Sequence, residues 1–173
     1  MDRFDPAPTP EDRRWGDETD TFGRVYDVLV GTTTLTSSAE IADIADCSPN
    51  AAKKHLDRLA GMGIARADTD TQPARYARNE AYFEWQEASR IARELPIEAI
   101  LERVDELEAE QQAYEERFDA DDPATVSAFE GADHEAVHER MDALSDWQRV
   151  VRDIRLYALA HQIARNDGHL IPA

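Results

Sequence analysis

Two short stretches hold residue types that do chemistry. His134-Glu135-Ala136-Val137-His138 is an HExxH pattern. Two imidazoles one helical turn apart can share a zinc ion, and the glutamate between them can activate a metal-bound water for peptide hydrolysis. The second stretch is basic. Residues 48–78 hold six bases (Lys53, Lys54, Arg58, Arg66, Arg75, Arg78) and three acids (Asp57, Asp68, Asp70), a local +3 in a chain of net charge −18. Such an island offers phosphates a positive surface. Its Lys53-Lys54 pair contains the only lysines among 19 basic residues. A third candidate is Cys47, the one thiol, whose oxidation would disturb helix packing.

The zinc reading lacks support from its surroundings. A peptidase site needs a third ligand and a sheet edge to hold substrate. The candidate ligands, Glu139, Asp142 and His161, are ordinary helix residues, and no strand is readable after residue 78. The histidines also open a Glu-rich amphipathic stretch, where chance matches come easily. No catalytic constellation, metal or cofactor is therefore expected. Cys47 fits an inert plug in a small core better than a redox switch.

Composition sets the frame. A chain of 173 residues with 42% hydrophobic residues can bury a core as one domain, or as a small domain with a helical appendage. A single cysteine excludes a disulfide framework and fits a reducing cytoplasm. No apolar run reaches the roughly 18 residues that suggest a membrane span. The acidic, Pro-rich start does not read as a signal peptide. Acids number 37, so in dilute salt the overall field repels DNA. But 17 of the 19 bases are arginine, and abundant Asp and Glu with scarce Lys resembles proteins of salt-accumulating archaea. In molar salt the Debye length is about 3 Å, so local charge outweighs net charge.

The elements that position these residues follow from caps and periodicity. Residues 1–19, with three prolines, read as a flexible arm, and Trp15 within it as a residue that docks on the body. A helix begins at Asp20, with Phe22, Val25, Tyr26 and Leu29 at helical spacing, and ends at Gly31. Ser37 to Glu40 is a capping box opening a short helix with Ile41, Ile44 and Ala45 inward. Asp46-Cys47 breaks it. Ser48 as N-cap and Pro49 at the first position restart the chain. The new helix buries Ala52, Leu56 and Leu59 and stops at Gly61 and Gly63. Residues 64–67 and 74–78 read as a β-hairpin around a polar turn. Asn79 caps a helix through Tyr82, Phe83, Trp85 and Ile91 that breaks at Pro96.

Beyond Pro96, the residues Ile97, Ile100, Val104, Leu107, Gln111, Tyr114 and Phe118 alternate in steps of three and four, a heptad seam with Gln111 as its polar position. A short helix is expected over residues 123–130, broken by Gly131. A last helix runs from His134 to Arg165, with Val137, Met141, Leu144, Trp147, Val151, Ile154 and Ala158 inward, and stops at Asn166-Asp167-Gly168.

Helix, helix, tight turn, helix, β-hairpin is the order of a winged helix-turn-helix. Residues 37–78, about a quarter of the chain, resemble the ArsR/MarR-like superfamily of prokaryotic regulators in a haloarchaeal version. The match is carried by Ile41-Ala42-Asp43-Ile44-Ala45, Ser48, His55-Leu56-Asp57-Arg58-Leu59 and Gly61-Met62-Gly63-Ile64. The resemblance implies a recognition helix from Pro49 that enters the major groove of double-stranded DNA. It does not bring metal sensing, because the paired cysteines of metal-sensing relatives are missing.

The residues themselves support that reading. The helix face opposite Ala52, Leu56 and Leu59 shows Asn50, Lys53, Lys54 and Asp57. Asn pairs with adenine, and Lys reaches guanine or phosphate. Ser48 and the first-turn N–H groups suit a phosphate. Arg75 and Arg78 on the hairpin suit phosphates or a minor groove, and Arg58 joins them in the candidate DNA-binding set. His55 fits either a phosphate contact or a partly buried packing role.

The heptad seam offers a homodimer interface for reading two half-sites. It could also pack on the last helix of its own chain, and both hold if two hairpins form a four-helix core. Tyr82, Phe83, Trp85 and Trp147 read as core or interface rather than as an effector pocket. The expected protein is mainly α. It has an arm (residues 1–19), a winged helix-turn-helix (20–79), a helical dimerisation region (80–165) and a tail (166–173). Its expected function is cytoplasmic transcription regulation. A protein-binding winged helix is the alternative, and the peptidase a distant third.

Overall fold

A computed structural model describes residues 10–129 and 134–172, with side chains from Asp20 onward. Among these the protein is mainly helical, about 70%, with one small three-stranded antiparallel sheet. Contacts divide the chain into two compact units, Met1–Phe83 and Glu84–Ala173.

The first unit opens with helix α1, Pro10–Gly31. It starts ten residues before the expected Asp20, inside the segment read as an arm. Proline is tolerated in a first helical turn, and a run of charges without apolar period does not bar a helix. Residues 1–9 and Trp15's side chain lie outside what the structure describes. The inward stripe of α1 is as expected: Val25 and Leu29 are fully buried, and Phe22 and Tyr26 pack beside them.

Strand β1, Thr36–Ser37, leads into helix α2, Ser38–Ile44. The capping box is present. Ser37 Oγ accepts from Glu40 N at 3.2 Å, and Glu40 Oε2 accepts from Ser37 N at 3.1 Å. Ile41, Ala42 and Ala45 are buried, but Ile44 is 68% exposed, against expectation. The chain turns at Asp46, whose φ of 49° is left-handed. That early exit leaves the last residue of α2 without a covering element.

Helix α3, Pro49–Gly61, has Ser48 as N-cap, its hydroxyl accepting from Ala51 N at 3.2 Å. Ala52, Leu56 and Leu59 are fully buried, as the spacing required. Each large apolar side chain so buried stabilises by roughly 1.5–3 kcal/mol relative to exposure. The helix ends in a Schellman arrangement: Ile64 N donates to Leu59 O and Gly63 N to Ala60 O, both at 3.0 Å, with Gly63 at φ 77°. Glycine is favoured there because left-handed backbone is costly for most side chains.

Strands β2, Ala65–Asp68, and β3, Arg75–Arg78, form the expected hairpin. The sheet order is β1-β3-β2, with Thr36 opposite Tyr76 and Asp68 opposite Arg75. A two-residue strand carries no period, so β1 was invisible in the sequence and exists only through pairing.

Helix α4, Glu80–Glu94, contributes to both units. Tyr82 and Phe83 pack on the first core, while Ala88 and Ile91 belong to the second, so the division falls four residues after the expected 79/80 boundary. Asn79 Nδ2 donates to Gly63 O at 2.8 Å, tying this start to the end of α3.

The second unit continues with α5, Ile97–Phe118, and α6, His134–Arg165, whose bounds match the expectation. Of the expected short helix over 123–130, a single 3-10 turn forms, Pro123–Thr125; Gly131 lies outside the described residues. The seam of α5 packs on α6 of the same chain. Ile100 and Leu107 are buried, and Tyr114 and Phe118 stack parallel to Trp147 with centroids at 6.1 and 5.7 Å.

On α6 the buried set is Ala143, Leu144, Trp147, Val150, Ala160 and Ile163. Met141 and Ala158, expected inward, are exposed, and Val137, Val151 and Ile154 are half-buried. Ala160 and Ile163 cluster with Ala88 and Ile91 of α4 and Ile100 of α5. At about 100° per residue, Ala160 lies roughly 140° round the helix from Trp147. A two-helix seam predicts one straight stripe; α4 is a third neighbour and draws burial round the helix.

Candidate nucleic-acid interface

The exposed face of α3 carries Asn50, Lys53, Lys54, Asp57 and Arg58, and Ser48 is exposed at its start. The fully buried stripe of Ala52, Leu56 and Leu59 fixes this orientation. Lys53 Nζ donates to Asp57 Oδ2 at 2.6 Å, an i,i+4 pair with both side chains about half exposed. Tyr76 OH, from β3, donates to Asp57 Oδ1 at 2.5 Å. Desolvation pushes the Asp57 carboxyl up, but the hydrogen bonds from Lys53 and Tyr76 and the Lys53 charge outweigh it and hold the group below the usual aspartate range. Burial, followed by the bond to Asp57, pushes the Tyr76 phenol well above its ordinary value. Asp57 therefore stays ionised and links the hairpin to the lysine face.

Arg58 lies over the Phe22 ring at 5.7 Å, within cation–π range. Arg75 is exposed on β3. Arg66 is exposed on β2 opposite Ala77, which places it diagonally from Arg75 on one face of the sheet. Arg66 was counted in the basic island but not among the candidate contacts; the register is what puts it there.

Two candidates leave this surface. His55 is buried, 6% exposed, with Phe22 edge-on at 5.5 Å. Of its two open readings the structure takes the packing one, because His55 neighbours Leu56 and Leu59 on the inward side and α1 covers it. Arg78 is a joint rather than a free cation. It donates to Glu80 at 2.6 and 2.8 Å and to Val30 O at 3.1 Å, and it covers the Phe83 ring at 5.5 Å. The Glu80 bonds raise its already high pKa.

Arg24 was not singled out from the sequence. Its Nε donates to Ala45 O at 2.8 Å and an Nη to Asp46 O at 3.3 Å, clamping the turn between α2 and α3, while Asp20 pairs with its other side. The available signal was an arginine flanking the apolar stripe of Phe22, Val25 and Tyr26. Cys47 packs on the same core, half-buried, and burial raises its thiol above the usual value, which disfavours a reactive thiolate.

The other candidates resolve as follows. His134 and His138 are exposed, their rings 4.7 Å apart, and among the described residues no group of three or more His, Cys, Asp or Glu is arranged to hold a metal. Tyr82 and Phe83 meet edge to face at 5.3 Å, Trp85 is 42% exposed and Trp147 is fully buried. In the seam, Ile97, Val104 and Gln111 remain half-buried in the single chain, and Gln111 donates to Glu115 of its own helix. No helix among the described residues is long and apolar enough to cross a membrane.

Residues 19–163 match the family of unknown function DUF7342, and the chain belongs to that family. No curated protein and no solved structure matches it.

Proposed function

We propose that residues 20–79 are a winged helix-turn-helix that binds double-stranded DNA, with α3 as recognition helix and the β2–β3 hairpin as wing. The protein then acts as a homodimeric transcription regulator in a high-salt cytoplasm. One observation carries the reading: the chain's only two lysines lie together on the exposed face of α3, beside Asn50 and opposite a fully buried stripe. Asn50 and the lysines supply base and phosphate contacts, Ser48 the helix start, and Arg58, Arg66 and Arg75 flanking phosphate contacts. Asp57 holds Lys53 until a phosphate or base replaces it. The half-exposed flank of Ile97, Val104 and Gln111, with Leu101 42% exposed, supplies the dimer contact.

Selection from random duplex DNA in molar KCl tests this, with a Lys53→Ala/Lys54→Ala variant in parallel. The expected result is an inverted repeat enriched by the native protein alone. For each phosphate contact removed, the slope of log affinity on log salt falls by about 0.9. No enrichment by a folded dimer overturns the reading in favour of a winged helix that binds protein.

A further inference from the structure

The second unit holds a small cleft that the DNA-binding reading does not use. It measures about 200 Å³ and is lined by Glu84 of α4 and by Arg152, Arg155, Leu156 and Leu159 of α6. The four α6 residues stand at i, i+3, i+4 and i+7, so they form one stripe, basic at one end and apolar at the other. Glu84 and Arg155 make no hydrogen bond or ion pair with any described residue. Opposite charges thus line one hollow without closing on each other. Other arginines of this unit are spent locally: Arg90 on Glu87 and Glu94, Arg103 on Glu106 and Glu110, Arg149 on Asp146. Arg152 feels the Glu87 charge, but the Glu87 carboxylate is hydrogen-bonded to Arg90.

We propose that this cleft binds a free α-amino acid with a branched aliphatic side chain. The carboxylate takes the guanidinium fork of Arg155, with Arg152 beside it; the ammonium pairs with Glu84; the side chain lies on Leu156 and Leu159. The size fits, since the volume falls below the roughly 300–1,000 Å³ of sites for drug-sized ligands. A simple anion is disfavoured by Glu84, a simple cation by the two arginines, and a doubly charged side chain by the leucines. The larger hollow of about 420 Å³ beside Pro96 lacks this logic, because its one arginine, Arg93, donates to Ser89 O of its own helix.

The proposal does not depend on DNA binding, and its test reads ligand binding alone. The full-length protein in molar KCl is titrated with L-leucine, 4-methylpentanoate and 3-methylbutylamine. The readouts are calorimetry and the side-chain Nε–H resonances of the arginines. Leucine is expected to saturate and to move the Arg155 resonance. Each analogue, lacking one charged group, should bind about tenfold weaker or less, the scale of one charge-assisted hydrogen bond. Arg155→Gln should weaken leucine by about tenfold with an unchanged melting temperature, and Glu84→Gln should erase the preference for leucine over 4-methylpentanoate. Absence of saturable leucine binding, equal binding of 4-methylpentanoate, or an unchanged Arg155→Gln affinity would each overturn it.

Discussion

The two units spend their cations differently. Met1–Phe83 has 10 bases and 15 acids; Glu84–Ala173 has 9 bases and 22 acids. In the second unit, Arg90, Arg103 and Arg149 pair with carboxylates three, four or seven residues away on the same helix, and Arg140 reaches a carbonyl 13 residues away. In the first, Arg24 reaches a carbonyl 21 residues away and Arg78 one 48 residues away. Lys53, Lys54, Arg66 and Arg75 remain on the surface. Local pairs solvate a helix and are worth little individually. Long-range ties fix how elements meet, and the cations exposed on α3 and the hairpin define a surface. A count of charges cannot separate these three uses.

The largest effects should come from the cores. Trp147→Ala is expected to cost about 3–5 kcal/mol and Leu56→Ala about 2–5 kcal/mol. If the units are as distinct as their cores, calorimetry will show each substitution lowering a different transition; a single transition lowered equally by both would erase the distinction. Trp147→Phe should cost much less, because the indole Nε1 is buried without a hydrogen-bond partner among the described residues.

Next come the long-range ties. Arg24→Ala and Arg78→Ala should each destabilise by about 1–3 kcal/mol, since they leave partly buried carbonyls unpaired. Arg149→Ala should stay within about 0.5 kcal/mol. Urea titrations of the three variants give the contrast directly, and equal costs would abolish it.

Ser37→Ala should cost about 0.5–2 kcal/mol through loss of the cap. It should also bring the Glu40 carboxyl back towards its ordinary value, because the Ser37 side-chain bond is the main force holding it low. Titration of the Glu40 carboxyl carbon by NMR reads that shift.

The smallest effect is pH dependence, and its tyrosine-driven alkaline limb should come from the first unit. The folded Tyr76 pKa lies above the ordinary value of 10, so its contribution is complete below pH 10 and lost as pH rises beyond it. The folded Asp57 pKa lies below the ordinary 3.8, so its contribution is complete above that value and lost as pH falls below it. Tyr76→Phe should flatten the alkaline limb of a melting-temperature profile. A profile that keeps its alkaline limb in this variant would point to another group.

Sequence alone determined the features made by bonds between near neighbours. The Ser37–Glu40 box, the Ser48-Pro49 start, the Gly61 and Gly63 stop and the limits of α6 are each settled within a few residues, by capping and by the conformational freedom of glycine. The inward stripe of α3 was equally legible, because elements cover one side of that helix only. The lysine face follows from that stripe. Tertiary structure decided the rest. Strand β1 exists only because β3 lies beside it. Ile44 is exposed because the chain turns away after it, and His55 is buried because α1 covers it. Burial on α6 shifts round the helix because α4 joins α5 against it. Arg78 leaves the candidate surface because Glu80 and Val30 O lie within its reach. In each case a periodic pattern names the side of an element that can be buried, but burial itself depends on which other element arrives there, and that neighbour is distant in sequence.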